Sequence, residues 1–117
     1  MQIEQERIGS ALVLKLSGSF GETAPELEDV LTRLVREGEA DIIVDLSAAE
    51  EFRALRSLVK AERLRREAGG MHRLAIVAAE GGAIGERLLI SGMRKTIPVF
   101  GSIEDLNGAW ETDGFPA

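Results

Sequence analysis

The sequence predicts an α/β fold in which about four helices pack on a mixed, mostly parallel sheet of about four to five strands. Two apolar segments at the N-terminus have the pattern of a β-hairpin, which predicts an antiparallel edge. Two runs rich in β-branched residues, Asp41–Leu46 and Leu74–Ala78, are too short for helices and are typical of strands buried on both faces. Helical segments alternate with these runs, and this alternation indicates right-handed crossovers between parallel strands.

The hairpin and the first helix are predicted from local patterns. Ile3–Ile8 alternates ahead of a Gly-Ser turn, and Ala11–Leu16 is an apolar run that follows it. Thr23 and Glu26 have the spacing of a capping box, with Pro25 suited to the first turn of a helix. An apolar stripe then follows at positions i, i+3, i+4 and i+7: Leu27, Val30, Leu31 and Leu34.

The second half of the chain alternates in the same way. A second helix is expected from about Ala54 to Ala68, with Leu55, Leu58, Val59 and Ala61 inward and its arginines and glutamates outward. A helix near Ala83–Ser91, a strand at Ile97–Phe100 and a last helix capped by Ser102 complete the fold. We expect one domain over residues 1–112 and a frayed tail over 113–117.

Composition excludes several classes of function. The 117 residues include no cysteine and one histidine, so cysteine-ligated and histidine-rich metal sites are excluded, and no cofactor is expected. The net charge of −6 disfavours binding to nucleic acid. The sequence contains no signal-peptide pattern and no long apolar segment for membrane insertion, so we expect a cytoplasmic protein.

Candidate catalytic and ligand-binding groups are few. The serines lack a convincing base, and the adjacent carboxylates Glu50 and Glu51 indicate favourable charges at a helix entry, so no enzyme activity is expected. Gly81, Gly82 and Gly85 lie between a predicted strand and a helix, where backbone amides can hold an anion. The loop lacks the glycine spacing and the lysine of nucleotide-binding motifs. A flexible connection is therefore the main interpretation, and a nucleotide- or anion-sensing site is the alternative.

Several segments together resemble the STAS domains of bacterial anti-sigma factor antagonists. Leu16-Ser17-Gly18 followed by Thr23–Leu27 is similar to the second strand and first helix of that family, and Ile43–Ser47 is similar to its third strand. Arg87–Met93 with Ile97–Phe100 resembles its C-terminal signature. The resemblance implies a STAS-like fold and a protein-binding role in transcriptional partner switching.

The sequence departs from the family at the serine that a partner kinase phosphorylates in these antagonists. That serine falls on Ala54 or near Phe52, depending on the alignment, and neither residue has a hydroxyl. Ser57 and Ser47 are weak substitutes, so regulation by phosphorylation at the usual site is not expected. Glu50 and Glu51 then supply permanent negative charge near that position.

The resemblance implies a binding surface at the turn before the second helix and at its first turn. The predicted contacts are Glu50, Glu51, Phe52, Arg53 and Arg56, with Phe20 and Glu22 on the neighbouring loop. Phe52 marks the interface as an exposed aromatic anchor if its ring is not buried, and Phe52→Ala is then expected to weaken binding and to leave the fold intact. A serine-kinase anti-sigma factor is the implied partner, and a weak homodimer stays open. A second hypothesis, from a different class of function, is that the protein is an accessory subunit of a lipid-transporter ATPase.

Overall fold

The computed structural model describes residues 2–9, 11–39, 41–67, 73–79 and 81–112. The predicted tail at 113–117 lies outside these residues. Within them, four helices pack on a five-stranded mixed sheet that begins with an antiparallel hairpin, so the predicted fold class is confirmed.

The five strands lie in the sheet in the order in which they occur in the chain. β1 pairs with β2 in antiparallel orientation, and the remaining neighbours are parallel. The first halves of β2 and β3 and nearly all of β4 are buried on both faces, as their continuous apolar composition predicts. The strands are β1 (Gln2–Ile8), β2 (Ala11–Phe20), β3 (Asp41–Phe52), β4 (Arg73–Val77) and β5 (Val99–Phe100).

Crossover helices connect the parallel strands, and a short 3-10 turn at Met93–Lys95 precedes β5. The first helix starts at Pro25 as expected, but the predicted capping box is wrong: the N-cap is Ala24, and no side chain caps the helix. The predicted Ser102 cap is confirmed, since its Oγ accepts a hydrogen bond from the Asp105 amide at 3.1 Å. The helices are α1 (Pro25–Glu37), α2 (Leu55–Glu67), α3 (Ala83–Ile90) and α4 (Ile103–Thr112).

The two faces of the sheet are covered unequally. α1, α2 and α3 contribute to one large apolar cluster, which includes Leu27, Leu58 and Leu88. α4 covers the opposite face, where Leu106 packs in a smaller cluster. Phe52 at the end of β3 and Ala54 just before α2 also belong to the larger cluster.

β3 is longer than the sequence predicts, and this changes the setting of the expected binding residues. The strand continues through Glu50, Glu51 and Phe52 instead of ending at Leu46, so the two glutamates are strand residues rather than helix-entry residues. Register shifts against β2 make this part of the ladder irregular, as in β-bulges. Beyond the second shift Phe52 is paired with Phe20, and the Arg53 amide donates to the Phe20 carbonyl at 2.8 Å.

α2 differs from the predicted pattern at two positions. Glu62, expected to face outward, is only 3% exposed, and its carboxylate accepts hydrogen bonds from Arg65 and Arg66. These bonds compensate the desolvation of the buried carboxylate. Val59, expected to face inward, is 37% exposed. The helix is therefore rotated so that a side chain from its apolar stripe borders solvent.

Candidate functional site

The two phenylalanines predicted to contact a partner are buried in the core. Phe20 is 0% exposed and Phe52 is 1% exposed. Their ring centroids are 6.0 Å apart with an angle of 47° between the planes, a favourable tilted arrangement. The prediction that Phe52 is an exposed anchor is therefore wrong, because the end of β3 turns its ring towards the core. Both rings instead fix the strand ends on which the charged residues sit.

Charged side chains surround a cleft of about 430 Å³ at the start of α2. Three of the predicted contact residues, Glu22, Arg53 and Arg56, line it and are exposed. Arg53 also forms an ion pair with Glu51, with 2.5 Å between Nε and Oε1. The fourth charge is Arg87 on α3, a residue that was not predicted as a contact from the sequence. The cleft thus carries three guanidinium groups and one carboxylate.

Glu50 lies at a different cavity from these residues. It borders a space of about 210 Å³ together with Gly82 and Gly85 at the start of α3. The residues that line this cavity include no lysine or arginine, so the Glu50 carboxylate opposes the binding of an anion there. The structure therefore separates Glu50 from the cleft and brings it to the glycine-rich loop.

The glycines of this loop have conformational reasons to be glycine. Gly81 has a φ of +77°, in the left-handed region. A Cβ on Gly85 would lie 2.6 Å from the carbonyl oxygen of Ala79, so a side chain there would push α3 away from the end of β4. Close packing thus accounts for Gly85 without a ligand, and the anion site stays a prediction.

The two positions on which the expected phosphorylated serine falls, Ala54 and Phe52, are both buried. Ala54, just before α2, is 0% exposed, and Ser57 in the first turn is 4% exposed. Ser47 is exposed on β3, where its amide donates to the Asp45 carboxylate at 2.9 Å. Of the two candidate serines, only Ser47 presents its side chain to solvent.

A second depression continues from the cleft along α2, sharing Leu55 and Arg56 with it. It has a volume of about 510 Å³. It was not predicted as a site from the sequence, although Arg56, Lys60 and Arg63 have the i, i+4, i+7 spacing of one helix face. We call it the α2 groove, and it is lined by Leu55, Arg56, Val59, Lys60, Arg63, Ser91 and Met93.

The basic residues of α2 serve two different purposes. Arg65 and Arg66 bond to the buried Glu62, and the hydrogen bond from this carboxylate raises the pKa of Arg65. Lys60 is ion-paired with Glu28 on α1. Arg63 lines the groove and makes no ion pair within the described part of the chain. The run of arginines is therefore partly structural and partly available to a ligand.

Two further classes of site find no support in the described residues. No three histidine, aspartate or glutamate side chains among them are grouped so as to hold a metal ion. Nor does any helix within the described ranges have the length and apolar character needed to cross a membrane.

Comparison with solved structures connects this fold to anti-sigma factor antagonists. An anti-sigma factor antagonist from Mycobacterium paratuberculosis has a TM-score of 0.78 and 23% sequence identity, with 92% of each chain covered. The antagonist SpoIIAA in its unphosphorylated form has a TM-score of 0.67 and 12% identity, over 98% of this chain and all of the other. A putative antagonist from Thermotoga maritima has a TM-score of 0.67 and 13% identity, with 92% of each chain covered.

These similarities establish the STAS fold. No protein-family model matches the sequence, and no curated protein matches it. The low identities leave function to be argued from the site itself.

Proposed function

We propose that this chain, with the fold of anti-sigma factor antagonists, is a non-catalytic module that binds a protein partner in a partner-switching pathway. The partner class is a serine-kinase anti-sigma factor, and the protein acts in the cytoplasm. The supporting observation is the cleft at the start of α2, where exposed charges from the segments that follow β2 and β3, from α2 and from α3 surround one depression. Such a polar rim suits a modest protein interface better than it suits catalysis.

The proposed interface consists of exposed side chains rather than an aromatic anchor. Arg53 and Arg56 supply cationic contacts, and Glu22 supplies an acidic one. Glu51 is exposed and orients Arg53. Phe20 and Phe52 act as positioning residues, because their packing holds the two strand ends together.

We further propose that phosphorylation at the usual position does not regulate this module. Ala54 cannot accept a phosphoryl group, and the burial of Ser57 at 4% exposure keeps a kinase from its side chain. The partner would then be released by competition or by a change in its own nucleotide state rather than by a new charge on this chain.

The test is capture of partners from the source cells with the tagged protein, followed by mass spectrometry and direct affinity measurement. Arg53→Glu should weaken binding of the recovered kinase at least tenfold, because it reverses the charge beside Glu51. Arg36→Glu is the matched control, since Arg36 is an exposed arginine on α1 outside the cleft. Equal affinities for wild type and Arg53→Glu would refute the placement of the interface.

The same experiment separates the alternatives. Recovery of a transporter ATPase in place of a kinase would favour the accessory-subunit function. Incubation of the recovered kinase with ATP should leave the mass of this chain unchanged. A phosphate on Ser57 or on the exposed Ser47 would refute the proposed lack of phosphorylation.

A further inference from the structure

The α2 groove is lined by both apolar and cationic side chains. Leu55, Val59 and Met93 supply the apolar atoms, and Met93 is buried at 5% exposure. Arg56, Lys60 and Arg63 are exposed, and we call these three cationic residues the rim of the groove. A surface that combines apolar and basic side chains matches a ligand that combines apolar and acidic ones.

Ion pairs among the described residues balance only part of the positive charge of this rim. Neither Arg56 nor Arg63 makes an ion pair with another described residue, and the side chain of Lys60 stays 58% exposed although it pairs with Glu28. The chain as a whole carries a net charge of −6, whereas this strip of one helix is positively charged. It would attract an acidic partner and repel a basic one.

One exposed apolar side chain lines the groove, and another precedes a lining residue in the chain. Among the described residues, the exposed large hydrophobic side chains are Ile8, Val59, Leu89 and Ile90. Val59 lines the groove, and Ile90, which is 85% exposed, directly precedes the lining residue Ser91. An exposed apolar side chain within a groove indicates an interaction surface more strongly than one that is isolated on the surface.

The spacing of the rim fits a helical ligand. Arg56, Lys60 and Arg63 follow one face of α2 over two turns, a length of about 10 Å at the rise of an α-helix. A helix that lies along α2 can place carboxylates at i, i+4 and i+7 opposite them while its apolar residues enter the groove.

We propose that the α2 groove binds an acidic amphipathic helix of the partner protein. The apolar face of that helix contacts Leu55, Val59 and Met93, and its glutamates or aspartates pair with Arg56 and Arg63. This inference rests on the proposed function, because it describes the chemistry of one segment of the proposed partner. That segment would contact the α2 groove next to the cleft.

The test uses two designed peptides of about 18 residues, long enough to form helix. Both have the same leucine face, and the flanking positions are glutamate in one and lysine in the other. Titration into the isotope-labelled full chain should shift the amide resonances of Leu55, Val59 and Arg63. The acidic peptide should bind at least roughly tenfold more tightly than the lysine peptide, and added salt should reduce the difference.

Matched variants make the assignment specific. Arg63→Glu should weaken binding of the acidic peptide roughly tenfold, whereas Arg36→Glu should leave it unchanged. Val59→Asp should also weaken it, whereas Ile8→Asp on β1 should not, although Ile8 and Val59 are 38% and 37% exposed. Circular dichroism confirms that each variant is folded before its affinity is compared.

Several outcomes would overturn the proposal. They are equal affinity for the two peptides, resonance shifts away from the groove, and binding that Arg63→Glu does not weaken. A concentration-dependent dimer that Val59→Asp dissociates would assign the groove to a second copy of the chain instead. The peptide experiment needs no native partner. If the peptides do not bind, the proposed function can still be tested by partner capture. If capture recovers a different class of partner, the peptide result on the groove still holds.

Discussion

Replacing Phe52 by alanine should destabilise the whole fold. The ring is 1% exposed and packs against Phe20 at a centroid distance of 6.0 Å. Phenylalanine-to-alanine changes in a core cost about 3–5 kcal/mol through lost burial and a residual cavity. That is a large share of the stability of about 6–15 kcal/mol expected for a chain of this length.

Urea unfolding followed by circular dichroism measures this effect. With a slope of about 1.5 kcal/mol per molar urea, the midpoint of Phe52→Ala should fall by roughly 2–3 M. Leu89→Ala is the control, because Leu89 is 59% exposed and its truncation should cost less than about 1 kcal/mol. A loss below about 1 kcal/mol in Phe52→Ala would refute the inferred packing of the end of β3.

Gly85→Ala should destabilise the protein by about 1–3 kcal/mol in the same assay, because the new Cβ would meet the Ala79 carbonyl oxygen at 2.6 Å. Gly108→Ala on α4 is its control and should stabilise by about 0.5–1 kcal/mol, since among the described residues no atom beyond its own helix lies within 4 Å of where a Cβ would stand, and alanine favours helix. The pKa of Lys15 is raised, first by its hydrogen bond to Glu6, and nuclear magnetic resonance titration of Glu6→Gln should show that pKa falling towards its ordinary value. The pKa of Lys15 is higher in the folded chain than in the unfolded chain. Any stability from the Lys15–Glu6 pair is therefore fully present below the unfolded-state pKa and is lost as the pH rises through the folded-state pKa. An unchanged Lys15 pKa in Glu6→Gln would refute that account.

The sequence predicted most of the fold because its strongest signals are periodic. The apolar stripe of α1 has Leu27, Leu31 and Leu34 buried, as a single core-facing helix surface requires. The buried strands and their parallel pairing also follow from continuous apolar runs. In these elements local pattern and tertiary packing favour the same conformation.

The end of β3 was not predicted because its local preference and its tertiary pairing disagree. Alanine and glutamate, which fill positions 48–51, are depleted in strands. Pairing with β2 nevertheless extends the strand to Phe52 through two register shifts. Bulges of this kind depend on the neighbouring strand and leave no period-two signal in the sequence, so the burial of Phe52 between Glu51 and Arg53 could not be inferred.

The α2 groove was partly predictable. Arg56, Lys60 and Arg63 lie on one helix face by spacing alone. Arg65 and Arg66 do not line the groove but bond to Glu62, and no sequence pattern indicates that Glu62 is buried. The groove also needs Met93 from the turn after α3, and only the tertiary structure brings that residue to α2.

The position of Arg53 depends on the buried aromatic pair, and this dependence decides which variants can test the interface. The Arg53 amide is bonded to the Phe20 carbonyl at 2.8 Å, directly beyond the point where Phe20 and Phe52 are paired. Removing either ring therefore releases the strand ends that carry Arg53 and Glu22, so a loss of partner binding in Phe52→Ala does not distinguish a direct contact from a loosened scaffold. Arg53→Glu changes an exposed side chain and its ion pair with Glu51, and it keeps the backbone bond. Loss of binding in that variant, with unchanged stability, is the result that identifies a contact.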